Sequence, residues 1–295
     1  MMSALNILLL GQHGQLAFEL QQALSGRARL QVWGRTSLDL SQSDGLAERV
    51  LAARPDLIIN AAAYTAVEQA ESDVEAAMAI NATAPGILAQ VAAQLGIPLI
   101  HFSTDYVFDG SKASAYHEDD PICPTSVYGR SKAAGEQAIR DAGCAHLILR
   151  TSWVYSHHGH NFLLTMQRLL QEKTLLKVVD DQIGAPTWAG SLAAVTVQLI
   201  QRWQSAEAGP WGTYHLTAQG ETSWFGFAQA IAADLKAEGK PCAQLQRVPS
   251  SLYPSVVRRP LNSRLDCSRL RQQWQISLMP WQDALRQCLQ GWPGA

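Results

Sequence analysis

The chain opens as short, unbroken apolar runs separated by longer stretches in which apolar residues recur every third or fourth position. Asn6–Leu10, Leu30–Trp33, Leu57–Asn60, Leu99–Ser103 and His146–Thr151 are too short for helices, and their Leu, Ile and Val content suits strands buried on both faces. Gln15–Leu24 places Leu16, Leu20 and Leu24 on one helical face, and Leu46–Ala53 and Ala84–Leu95 repeat the helical spacing. The last of these stops at Gly96, with Pro98 just beyond: glycine takes the left-handed backbone that closes a helix, and proline cannot continue one. Strands alternating with helices predict parallel pairing, since parallel neighbours need a long crossover. The expected class is α/β, a doubly wound parallel sheet with helices on both faces.

Beyond residue 155 the rhythm loosens. Phe162–Glu172, Leu192–Arg202 and Ser223–Lys236 keep helical spacing, the last with Thr222 or Ser223 as its N-cap, and Leu175–Val179 reads as a strand. Trp- and Pro-rich pieces such as Gly209–Gly212, Pro249 and Arg259–Pro260 interrupt them. This pattern divides the chain into a sheet domain over residues 1–155 and a smaller C-terminal domain over 156–295, with segments near 175–200 and 212–217 returning to the first.

Composition adds exclusions. With 47% hydrophobic and 16% charged residues, the 295-residue chain can build an ordinary globular core. A net charge of -2 supplies no basic stripe, so no nucleic-acid partner is expected. No unbroken apolar run approaches the ~20 residues of a spanning helix, so no membrane association is expected. The first run also lacks a basic flank, which argues against a signal peptide. Five scattered cysteines without a Cys-x-x-Cys pair read as reduced thiols, and the expected location is cytoplasmic.

Candidate chemistry gathers at strand ends. Gly11-Gln-His-Gly14-Gln-Leu-Ala17 lies between the first strand and first helix. Gly11 and Gly14 there permit a tight turn and close backbone approach to a pyrophosphate, which the helix N-terminus then stabilises. The sheet thus becomes Rossmann-type, and residues 1–155 its NAD(P)-binding domain. Arg35, after the second strand, matches a 2′-phosphate and favours NADPH, with NADH still possible; Asp39 and Leu40 are placed to flank the adenine. Ala61, Ala62 and Ala63 after the third strand either leave room for a ligand or make a small-residue packing surface, and Asn81 is a buried polar contact or a cofactor contact.

The densest stretch runs from Ser103 to Lys132. Tyr128 and Lys132 stand one helical turn apart, so phenol and ammonium face the same ligand. The ammonium should favour phenolate and lower the Tyr128 pKa, easing proton exchange near neutrality. Thr104, at the strand end, can hold a substrate oxygen beside Tyr128. With a nicotinamide nearby this is the equipment of a ketone reductase: hydride to carbon, proton from Tyr128 to oxygen.

At this point the residues resemble a family, the extended short-chain dehydrogenase/reductases, and within it the group that reduces a 4-keto dTDP-sugar in dTDP-L-rhamnose synthesis. The resemblance rests on S-T-D-Y-V-F-D-G at Ser103, Y-G-R-S-K at Tyr128, W-V-Y at Trp153, D-Q-I-G-A-P-T at Asp181 and R-R-P-L-N-S-R-L-D at Arg258. It implies Thr104, Tyr128 and Lys132 as the catalytic group. For the cofactor it implies Gly14, Gln15, Leu16, Asp39, Leu40, Ala62, Ala63 and Thr65, with Lys132 also reaching the nicotinamide ribose. Thr104, Asp105, Tyr128 and Trp153 would meet the dTDP-sugar, and Arg259 its phosphates, unless Arg259 pairs with Asp266 or another acid. The C-terminal domain would then be mainly substrate-binding. Related dehydratases carry an acid directly after Thr-Asp, where this chain has Tyr106, so reduction without elimination is expected. A related nucleotide-sugar 4-ketoreductase giving the C4 epimer would carry the same motifs, whereas a regulatory, non-catalytic NADP-binding subunit would not need the intact Thr-Tyr-Lys set. Some members associate through a divalent metal held by surface carboxylates; apart from Glu19 this chain offers no such acidic cluster, so no metal is expected, while a homodimer stays open.

Overall fold

Side chains alternate sides along a strand, so each strand of a sheet covered on both faces feeds two cores. In a computed structural model, which describes residues 5–291 apart from 206 and 254, this is how the runs above are used. The chain passes through β1 (Asn6–Leu10), α1 (Gln15–Leu24), β2 (Arg29–Trp33), α2 (Leu46–Ala53), β3 (Leu57–Asn60), α3 (Val67–Ala70) and α4 (Val74–Met78). A π-turn over Ala79–Thr83 leads into α5 (Ala84–Leu95), β4 (Leu99–Thr104), α6 (Val127–Asp141) and β5 (His146–Thr151). The second half adds β6 (Val154–Tyr155), α7 (Phe162–Glu172), β7 (Leu175–Val179), β8 (Ile183–Gly184), β9 (Thr187–Trp188), α8 (Ala189–Gln204) and β10 (Gly212–His215). It closes with β11 (Thr222–Ser223), α9 (Trp224–Ala237), β12 (Gln244–Val248), α10 (Ser268–Trp274) and α11 (Trp281–Gln290).

Six strands form one parallel sheet in the order β10-β5-β4-β3-β1-β2, a Rossmann-type arrangement. Ile7 and Leu9 point to the face covered by α1 and α8, where they meet Leu20, Leu24, Leu192 and Leu199. Leu8 and Leu10 point to the other, against Leu46 and Val50 of α2 and Leu88 and Ala89 of α5. Each such burial contributes about 1.5–3 kcal/mol, which is why single strands of five residues hold their place. Between β1 and β3 the strand order reverses, and the gap left at their carboxyl ends is where α/β sheets bind ligands.

Two expectations need correction. Leu175–Val179 does not return to the large sheet; as β7 it pairs in parallel with β12, in a separate two-stranded sheet beside α7 and α9. By contrast, α8 lies on α1, and β10 extends the large sheet beside β5. The run Val74–Leu95 is long and apolar enough to cross a membrane by length and composition, although Glu75 and Asn81 interrupt it in sequence. Here 56% of its apolar window is buried in the fold, as a core helix against the sheet. The outer ends of the expected domains, residues 1–4 and 292–295, lie outside the described residues.

Candidate active site

The dinucleotide turn sits at the switch point. Gly11 has φ +107°, and a Cβ there would stand 3.2 Å from the Ala61 carbonyl carbon, so the turn crosses the end of the neighbouring strand closely. No side chain caps α1 at Gly14, which leaves its first N–H groups for an anion. Gln15 and Leu16 begin the helix, half-buried. Beyond β2, Arg35 projects outward, 87% exposed, with Nε 3.6 Å from the Asp39 carboxylate. The Ser41 backbone N–H, then its hydroxyl, hold Asp39 below the ordinary carboxylate range, while Leu40 is buried. Ala62 and Ala63 are half-buried and Thr65 exposed, in the segment that leaves β3. Asn81 resolves as a clamp for that segment: Oδ1 accepts the Tyr64 N–H (2.9 Å), and Nδ2 donates to Tyr64 O and to Ser131 Oγ (3.0 Å each). The residues fit a dinucleotide on these grounds.

The catalytic candidates meet at the end of β4. The Thr104 hydroxyl donates to Asp105 Oδ1 (3.1 Å) and accepts the Tyr106 N–H (3.2 Å). Ser126 caps α6 by accepting the Gly129 N–H (3.1 Å), and this sets Tyr128 in the first turn, edge-on to Tyr106 at 5.5 Å. Tyr128 is 9% exposed and Lys132 1%. Lys132 does not tune the phenol as expected. Its ammonium turns to the strand, donating to Phe102 O (2.7 Å) and lying 3.2 Å from His101 Nε2. Burial pushes the Tyr128 phenol well above its ordinary value, and only the neighbouring Thr104 hydroxyl works the other way. Burial also draws Lys132 down to about 8. In so dry a site desolvation outweighs the charge.

Asp105 is buried too, which pushes it up to about 6 against the opposing pull of the Ser263 and Thr104 hydroxyls. Tyr106 is pushed up to about 12, mainly by burial. The sequence blocks that looked separate converge here. Thr151 is the register partner of Thr104, so Trp153 leaves the sheet beside the Thr104 corner. Its indole lies on Gly184, where a Cβ would come within 2.6 Å of the ring, and Trp224 stacks on it at 3.7 Å. Trp153 takes φ +50°, and Trp224, held by Gln182 (3.1 Å), covers ring surface that Trp153 was expected to offer a ligand. Ile183 in turn exchanges backbone hydrogen bonds with Leu261 and Ser263 (2.8 Å each). Arg259 pairs with Glu68 across 3.0 Å rather than with Asp266.

Sequence reasoning assigned no role to His101, Asn60 or Glu136. His101 is fully buried between Lys132 and Asn60, its Nδ1 3.1 Å from Asn60 Nδ2, and burial keeps the imidazole neutral. A polar residue inside an otherwise apolar strand was the available signal for both. Glu19 is no surface carboxylate: it is 1% exposed, accepts the Ser156 hydroxyl (2.7 Å) and lies 3.5 Å from His157. Among the described residues no group of three or more His, Cys, Asp or Glu is placed to hold a metal.

A dinucleotide turn at a switch point, with Thr, Tyr and Lys gathered beside it, defines an oxidoreductase fold of the short-chain dehydrogenase/reductase type. The chain belongs to the RmlD substrate binding domain family, whose pattern matches residues 5–292. It is similar to the dTDP-4-dehydrorhamnose reductase of Burkholderia thailandensis, with 43% identity over 292 residues, 97% of this chain and 98% of that protein. The dTDP-4-dehydrorhamnose reductase of Escherichia coli K12 is 42% identical over 291 residues, 97% of each chain. Among solved structures, the Bacillus anthracis dTDP-4-dehydrorhamnose reductase in complex with NADP superposes with a TM-score of 0.89 at 32% identity, covering 97% of this chain and 99% of that one.

Proposed function

We propose that this chain reduces the C4 ketone of dTDP-4-dehydro-L-rhamnose to dTDP-L-rhamnose, using NADPH and accepting NADH. The observation that carries the reading is the burial of Tyr128 and Lys132, one helical turn apart, at the carboxyl end of β4 beside the Gly11 turn. Gly11, Gly14, Gln15 and Leu16 would cradle the pyrophosphate, Arg35, Asp39 and Leu40 the adenosine end, and Ala62, Ala63 and Thr65 the middle of the cofactor. When bound, the nicotinamide supplies the hydride.

The chain supplies position and a proton. Tyr128 keeps its proton on Oη because its phenolate is disfavoured in the dry site, and transfer becomes favourable only as the carbonyl oxygen gains negative charge. Thr104 would orient that oxygen by turning to it the single hydroxyl proton that otherwise goes to Asp105 Oδ1. Lys132 donates one N–H to Phe102 O and lies 3.2 Å from His101 Nε2, which leaves N–H capacity for the nicotinamide ribose. Tyr106 puts a phenol where related dehydratases carry a carboxylic acid, which supports reduction without elimination. Trp153 and Arg259 would meet the nucleotide. We assign 1–155, with α8 and β10, to the cofactor side and most of 156–295 to the sugar side. A cytoplasmic homodimer is the working form we propose, and light scattering of the eluted protein tests it.

The test is to mix protein, NADPH and dTDP-4-dehydro-L-rhamnose and follow nicotinamide absorbance. Oxidation by the native protein, and its loss in Tyr128→Phe with NADPH binding retained, is expected. Full turnover in Tyr128→Phe refutes the proton donor, and tight NADPH binding without turnover in the native protein favours a regulatory subunit.

A further inference from the structure

Asn161 belongs to none of the motifs above, yet it ties α7 to the dinucleotide turn. It is 8% exposed at the N-cap of α7, where Oδ1 accepts the Leu164 N–H at 3.1 Å. Its amide nitrogen donates to the main-chain oxygens of Ser156 (2.7 Å) and His158 (3.2 Å) and to Gln15 Oε1 (2.9 Å). The His158 ring, 3.2 Å from His13 O, makes a second contact between the same two loops.

These partners fix which way both amides face. Turning Asn161 over would set its oxygen against two carbonyl oxygens and its nitrogen against an N–H, losing every bond at once. Gln15 must therefore meet Asn161 with an acceptor, Oε1. The other edge of that carboxamide, Nε2 with its two N–H groups, has no hydrogen-bond partner among the described residues. Gln15 is the first residue of α1, at the end where a pyrophosphate is stabilised.

We propose that Asn161 is a positioning residue for cofactor binding, holding the Gln15 carboxamide so that its N–H edge, not its oxygen, is presented to the dinucleotide pyrophosphate. This rests on the reading that a dinucleotide binds over the start of α1. A glutamine free to turn would have to be ordered by the phosphate itself, at a cost in side-chain freedom that the Asn161 contact removes.

Titration of NADPH by nicotinamide fluorescence, without turnover, tests it. Asn161→Ser retains a capping hydroxyl but is too short to reach Gln15. Asn161→Ser and Gln15→Ala are each expected to weaken NADPH binding on the order of tenfold, the loss of one hydrogen bond to a charged group. The double variant should be no weaker than the worse single, because both remove the same contact. Binding of dTDP should stay within about twofold of native. Asn161→Asp fills the same volume and caps α7 equally well, but it can only accept, so it should draw Nε2 away from the pyrophosphate and weaken NADPH at least as much as Asn161→Ser. A merely structural Asn161 predicts instead a lowered Tm, most in Asn161→Asp because its second oxygen faces the Ser156 and His158 carbonyls, with native-like NADPH binding by the folded variants. Costs that multiply in the double variant, or native-like NADPH binding by folded Asn161→Asp, overturn the proposal. If the native protein takes up no NADPH, the dinucleotide reading falls and this proposal with it.

Discussion

A lysine with no carboxylate in contact is an expensive thing to bury, and Lys132 is buried completely. Its ammonium faces a carbonyl and a neutral imidazole, while the nearest acid, Glu136, is already engaged by Arg150 and Ser103. The sign of the consequence follows from the depressed value. The folded protein releases this proton near pH 8 and the unfolded chain near 10.5, so ionised Lys132 opposes folding below about 8, and stability rises with pH between the two. Lys132→Met should therefore abolish turnover yet increase unfolding free energy at pH 7 by on the order of 1 to 2 kcal/mol, after the cost of leaving Phe102 O unpaired. Urea unfolding measures it, and the advantage should vanish above pH 10. Activity should move the other way: kcat/KM for NADPH is expected to fall as pH rises through about 8, as the group offered to the ribose loses its charge. At this scale the sequence carried residue identities but not directions. Tyr128 and Lys132 were legible from their spacing, whereas the turn of the ammonium toward β4 depended on His101 and Phe102, which come close only once α6 lies on the sheet.

Helix α6 carries both of those groups, so whatever seats it governs the geometry of the site. Glu136 does much of this seating. Its carboxylate accepts from Ser103 on β4 (2.6 Å) and from Arg150 on β5 (2.9 and 2.7 Å), with Arg140 at 3.3 Å from the solvent side. Burial pushes the carboxyl up, but the Arg150 hydrogen bonds outweigh it and hold Glu136 below the ordinary range. A depressed acid stabilises the fold above its unfolded value of 4.5, and that contribution is lost as pH falls below it. Glu136→Ala leaves Arg150 buried without its partner and is expected to cost on the order of 3–5 kcal/mol, read by thermal unfolding, with kcat falling as α6 loosens. Elements of this kind were legible where local pattern and caps agree. β1, α1, β3, α5, β5 and α7 begin and end where the runs and breakers place them. β7 also has the expected bounds, but its pairing with β12 was illegible, because period-two alternation in a half-exposed strand does not say which later segment supplies the register. The π-turn that aims Asn81 at Tyr64 and Ser131 likewise leaves no local signature.

Across the whole molecule, the two halves touch through paired groups that a ligand would have to share. Arg259 and Ser255, from the segment after β12, both bind Glu68 Oε1 in α3, at 3.0 and 3.1 Å. Their hydrogen bonds hold the Glu68 carboxyl below its ordinary value, so it is an anion at neutral pH, occupying the guanidinium proposed for the phosphates. A dTDP-sugar brings a diphosphate that can replace it bidentately, which gives the ion pair a second use as a stand-in for substrate. Two substitutions then act in opposite directions on one parameter. Arg259→Ala is expected to raise KM for the sugar nucleotide on the order of tenfold or more, and Glu68→Gln to lower it severalfold, since the competing anion is gone. KM for NADPH is expected to respond less than KM for the sugar nucleotide, because the two residues pair with each other and neither is among those assigned to the cofactor. Added salt should narrow the gap between Glu68→Gln and the native enzyme, as screening weakens the exposed pair and the phosphate contact together. Steady-state kinetics at two ionic strengths decides it. A Glu68→Gln variant whose sugar-nucleotide KM rises would mean that Arg259 needs Glu68 to hold it in place, and the exchange of one anion for another would be wrong.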